Sequence, residues 1–170
     1  MQAILLGFVL VSFDYFQPLL KITGLSIALF GLVYTLSRFV EGLGGEIVHR
    51  LEKVFSNKKL LITGILFIML SFISFFVGKN WLIIFAILLI SFSDGFIDVV
   101  LGDMLNINIS SQNRTTIMSI ASFVQGIFTA FLAYFVGLMA DKVGVISIFA
   151  YILVAFVFLI CILAMIYRRK

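Results

Sequence analysis

From Leu60 to Val77 the chain carries no charged residue, and none occurs between Val143 and Tyr167. A helix rising ~1.5 Å per residue needs about 20 apolar residues to cross a bilayer. Both stretches therefore read as membrane spans. The rest of the chain fits that reading, being 63% hydrophobic and 12% charged over 170 residues, with mean hydropathy +1.25. Soluble domains run near 45–50% apolar and about 25% charged. With a single Pro there is little to interrupt helices. The expected fold class is all-α, a polytopic membrane protein.

Longer runs broken by isolated polar groups complete a set of six expected helices, at about 1–20, 25–49, 59–78, 81–104, 115–141 and 143–167. The first is barely long enough, and Pro18 falls in its last turns, where it permits a kink. The opening MQAILLGFVLVSF has no basic flank and no small-x-small site before Asp14, so a cleaved leader is not expected. The lone Cys161 offers no disulfide framework.

Charge placement orients the bundle. Arg50, Lys53, Lys58, Lys59, Arg114, Arg168, Arg169 and Lys170 fall on one side. Only Lys21, Lys79 and Lys142 fall on the other. Cytoplasmic loops carry the excess of Lys and Arg. The C-terminus and the loops after helices two and four are thus expected in the cytoplasm, in a multi-pass plasma-membrane protein. The sequons at Asn108 and Asn113 lie on that side and are expected to remain unglycosylated. The basic balance is explained by topology and implies no nucleic-acid partner.

Helices three and six are apolar all round, whereas the other four carry polar groups. In the second, Gly31, Tyr34, Arg38, Glu41 and Gly45 recur at three- and four-residue steps, opposite Leu29, Leu32, Val33, Leu36, Val40 and Leu43. The fourth sets Ser91, Asp94, Asp98 and Gly102 against Phe85, Leu89, Phe92 and Phe96, and the fifth aligns Ser122, Gln125, Thr129 and Ala133. Such helices need a polar interior or a water-filled cavity. The order polar, polar, apolar, taken twice, divides the chain into three-helix repeats at 1–78 and 79–170. Internal repeats of this kind are frequent in secondary transporters.

This arrangement resembles the C-terminal half, helices seven to twelve, of a major facilitator superfamily transporter. SSQNRTTIMSI, with Arg114, Thr115, Thr116 and Ser119, is similar to the R-A-T-x-x-S start of helix eleven. DYFQPLLKITGLS resembles the outer end of helix seven. The resemblance implies that the first helix of each triplet lines the substrate path, the second packs against the other half, and the third is peripheral. The family's G-x-x-x-D-[RK]-x-G loop corresponds here to Gly45–Lys59, which has His49 where the motif carries Asp. That speaks against an Asp-mediated gate in this loop. GLMADKVG, Gly137 to Gly144, spells the motif on the opposite side and reads as a helix end, with Gly137 permitting close packing and Gly144 a left-handed cap.

Five ionisable residues fall within expected spans: Asp14, Arg38, Glu41, Asp94 and Asp98. Each costs about 2.5–3.5 kcal/mol at a helix centre facing lipid, so inward positions are expected. Arg38 can neutralise Glu41 or Asp94, and the carboxylates left over suit protons or cations. Asp94 and Asp98, one turn apart, are the leading pair for substrate or ion coupling. Gln17, Tyr34, Ser91, Gln125 and Thr129 are expected to line a cavity. His49 reads as an interfacial side chain rather than a metal ligand, and no metal or cofactor is expected. The aromatics read as lipid contacts, with Trp81, Tyr134, Tyr151 and Tyr167 at or toward interfaces.

The leading expectation is secondary active transport of a small molecule, proton- or cation-coupled. Export of an amphiphile is favoured over sugar uptake, since no sugar-binding array of amides and carboxylates occurs. The chain supplies one bundle, so its partners are expected to be the bilayer and a missing N-terminal six-helix half or a second copy. The alternative is a stand-alone oligomeric channel or partner subunit without coupled transport. No nucleophile or metal set suggests an enzyme.

Overall fold

The computed structural model describes residues 2–108 and 114–168. The loop 109–113, with the SSQN run and part of each sequon, lies outside the described residues, as do Met1, Arg169 and Lys170. Among the described residues all regular structure is helical: α1 (Gln2–Asp14), α2 (Phe16–Ile22), α3 (Ile27–Leu51), α4 (Asn57–Val77), α5 (Asn80–Asn108), α6 (Arg114–Val143) and α7 (Ile148–Arg168). Four helices, α3 to α6, are long and apolar enough to cross a membrane, and α1 with α2 forms a bent pair that is so only when the two are taken together. In α7 the apolar stretch described is Ile148–Leu163.

The first expected helix is thus two helices meeting at 46°. Pro18 explains the break. It has no N–H to donate to the carbonyl of Asp14, and its ring crowds that carbonyl, four residues back. The chain turns there, with the Tyr15 N–H donating to the Ser12 carbonyl at 3.1 Å instead of continuing the α-helical ladder. The disruption falls at residues 14–15, upstream of the proline itself.

α5 is the central element, packed along α3 on one side and α4 on another, while α1 runs along α6 and α4 meets α7. Small residues set the closest approaches. A β-carbon on Gly44 would collide with the backbone carbonyl of Phe92, one on Gly95 with that of Glu41, and one on Gly64 with the Ile97 side chain. At Gly44 and Gly95 the helix backbones touch, and at Gly64 a neighbouring side chain fills the space, which suits association in lipid, where contact rather than transfer from water drives packing. At Gly137 nothing lies within 4 Å of an added β-carbon, so it makes no such approach, contrary to the sequence reading. Gly144 does end α6 in the left-handed region, at φ +87°, with its N–H donating to the Ala140 carbonyl at 2.8 Å.

The aromatics also depart from expectation. Phe8, Phe72, Phe75, Phe149 and Phe156 are fully buried and knit α1, α4 and α7 together. Phe8 meets Phe156 edge-on at 5.4 Å, Phe72 meets Phe156 at 5.6 Å, and Phe75 lies 4.5 Å from Phe149. Such pairs each contribute about 0.5–1.5 kcal/mol beyond area burial. Trp81, Tyr134 and Tyr151 remain exposed as expected. The Tyr167 side chain lies outside the described residues.

Candidate functional site: an acidic cavity

The contact of Gly95 with the Glu41 carbonyl brings the polar stripes of α3 and α5 together. Beside it opens a cavity of about 220 Å³, walled by Leu6 and Leu10 of α1, Glu41 of α3, Asp94, Gly95 and Asp98 of α5, and Gln125 of α6. Four helices thus contribute to one polar space. Three carboxylates line it, against one nearby guanidinium.

Arg38 Nη1 lies 2.6 Å from Glu41 Oε2, one turn along α3. The guanidinium also sits 5.0 Å over the centroid of the Phe13 ring, a cation–π contact linking α3 to the end of α1. Glu41 therefore has its counter-charge. Among the described residues Asp94 and Asp98 belong to no ion pair, although the charges of Glu41, Asp98 and Arg38 all reach Asp94. Asp94 is partly buried and Asp98 more exposed. Two carboxylates one turn apart and in no ion pair, with Glu41 opposite and Gln125 able to donate or accept, give the cavity an acidic lining.

The fold brings together Asp94, Asp98, Glu41 and Gln125, with Arg38 attached through Glu41. Other residues read from the sequence lie elsewhere. Asp14 is exposed at the break between α1 and α2, and Gln17 is exposed on α2. Tyr34 lies 6.1 Å from the Phe16 ring, outside the cavity wall. Ser91 is buried and donates to its own helix's Ile87 carbonyl at 2.9 Å. Thr129 packs beside Gly7, and its buried hydroxyl oxygen has no hydrogen-bond partner among the described residues. Leu6, Leu10 and Gly95 were not singled out from the sequence. Gly95 had a usable signal, a small residue lying between two aspartates on a polar stripe.

The fold is that of a polytopic α-helical membrane protein with an acidic cavity between its helices. The Major Facilitator Superfamily model matches residues 3–170, and the chain belongs to that superfamily, whose members are transporters of small molecules rather than enzymes. No curated protein and no solved structure matches the chain.

Proposed function

We propose that this chain is one six-helix bundle of a secondary active transporter that exports an amphiphilic small molecule in exchange for protons or another cation. The acidic cavity carries this reading: Asp94 and Asp98, unpaired beside the Arg38–Glu41 pair, take up the coupling ion, and substrate competes for the same space. Ion and substrate then bias two orientations of the bundle, in the alternating-access manner of inverted- and parallel-repeat transporters.

The bundle consists of two three-helix repeats, 1–78 and 79–170, and works against a second six-helix bundle, an N-terminal half or another copy. Two observations support this. Of the four long helices α3 to α6, α3 and α6 are the least covered, with most of their apolar length exposed, whereas half of α5 is buried. The pairings also exchange between repeats, since α3 along α5 has its counterpart in α6 along α1. The protein sits in the plasma membrane with its C-terminus in the cytoplasm, on the charge asymmetry of its loops.

The test is proton movement in vesicles made from membranes that contain the native protein. With an imposed pH gradient, amphiphilic compounds are added singly and the gradient is followed with a fluorescent amine. At least one compound is expected to dissipate the gradient in a saturable way that requires the protein. Saturable compound flux with no accompanying proton or cation movement would instead support the uncoupled channel or partner-subunit reading.

A further inference from the structure

Away from the acidic cavity, α3 and α5 meet again near their C-terminal ends. His49 and Glu52 stand one turn apart at the end of α3, and Asp103 comes from α5. One atom from each, an imidazole nitrogen and two carboxylate oxygens, lies within 4.8 Å of the other two. His49 Nδ1 is 3.5 Å from Glu52 Oε1. Zinc bound tetrahedrally by nitrogen and oxygen at about 2.0–2.1 Å has ligand-to-ligand edges of ~3.4 Å, so this pair already has the spacing of one edge. Asp103 faces Glu52 across the two helices, its carboxylate within the same 4.8 Å. Two carboxylates this close repel each other, and a cation between them relieves that repulsion. The neighbouring Arg50 does not supply that cation, because Glu46 engages it at 3.0 and 3.2 Å.

We propose that His49, Glu52 and Asp103 bind a divalent first-row transition metal such as Zn²⁺, fastening the end of α3 to α5. One imidazole with two carboxylates suits this group of ions, whereas Mg²⁺ and Ca²⁺ favour all-oxygen shells. The His49 and Glu52 side chains are 57% and 32% exposed, so the ion reaches them without opening the bundle and water completes its shell. For Nδ1 to ligate, the ring proton resides on Nε2. The site shares no residue with the acidic cavity and stands independently of any coupling there.

The probe is Co²⁺, titrated into the tag-free, full-length protein in lipid nanodiscs and read by its ligand-field absorption. One Co²⁺ per chain is expected, displaced by Zn²⁺ but not by excess Mg²⁺ or Ca²⁺. His49→Gln and Asp103→Asn should each weaken binding by more than ~100-fold, beyond what loss of an outer-shell partner usually costs. Glu46→Gln should leave binding unchanged. His49→Cys replaces the imidazole with a thiolate ligand and should retain the metal with a new sulfur-to-metal charge-transfer band, a rescue that a purely structural histidine would not give. The proposal is overturned if folded wild-type protein shows no saturable Co²⁺ binding. It is equally overturned if both ligand variants bind as the wild type does, which would assign the ion to scattered surface carboxylates.

Discussion

Gly95 of α5 lies against the backbone carbonyl of Glu41 on α3, closer than any side chain at that position allows. This contact sets the distance between the two polar stripes, and with it the width of the acidic cavity. Gly95→Ala therefore forces the helices apart by pushing on backbone rather than on a flexible side chain. It is expected to destabilise the protein by about 1–3 kcal/mol, the usual cost of overpacking. Gly44→Ala, against the Phe92 carbonyl, should cost a similar amount, while Gly137→Ala, with open space around it, should cost little. Thermal denaturation in a fixed detergent compares the three, and equal behaviour at positions 95 and 137 would contradict the packing described.

Pro18 holds the bend between α1 and α2. Replacing it with Ala restores the donor that the Asp14 carbonyl lacks, so the 46° bend is expected to shrink. Pulsed electron resonance between spin labels at Gln2 and Lys21 would show a longer separation in Pro18→Ala than in the parent. An unchanged distance would place the cause of the bend in packing against α5 instead.

Much of this architecture was legible in the sequence, for a simple reason. A charge in lipid is costly, so charge-free runs such as Leu60–Val77 mark spans and isolated carboxylates such as Asp94 mark interior faces. The same argument holds for Glu41 and Asp98 but not for Asp14, which is exposed, and uncharged Gln125 followed from the polar stripe of its helix. It failed where lipid and protein look alike to a side chain. Phe72 and Phe149 pack inside the bundle, but nothing in their chemistry separates that from facing acyl chains, which are equally apolar. Ser91 was misleading because its hydroxyl is satisfied by the Ile87 carbonyl of its own helix and needs no cavity. The His49–Asp103 meeting joins residues from different helices and only the fold brings it out.

The exposed faces of α3 and α6 predict a second bundle in the membrane. The native assembly, detected through the C-terminal tail and sized under mild solubilisation, is expected to contain about twice the 19.0 kDa of this chain. An assembly of that size made of two copies would identify the facing bundle as a second molecule. A monomeric 19.0 kDa species that retains transport would contradict the two-bundle arrangement.

The most direct test of the central claim is to separate accumulation from exchange in Asp94→Asn. A compound identified by its proton-linked movement is followed in two ways, as concentrative transport driven by a pH gradient and as one-for-one exchange at equilibrium. If Asp94 carries the coupling ion, the variant loses concentrative transport by at least ~10-fold while exchange persists, because removing the ion site leaves the substrate path intact. Gradient-driven accumulation at the wild-type level in Asp94→Asn would contradict the assignment of coupling to this residue.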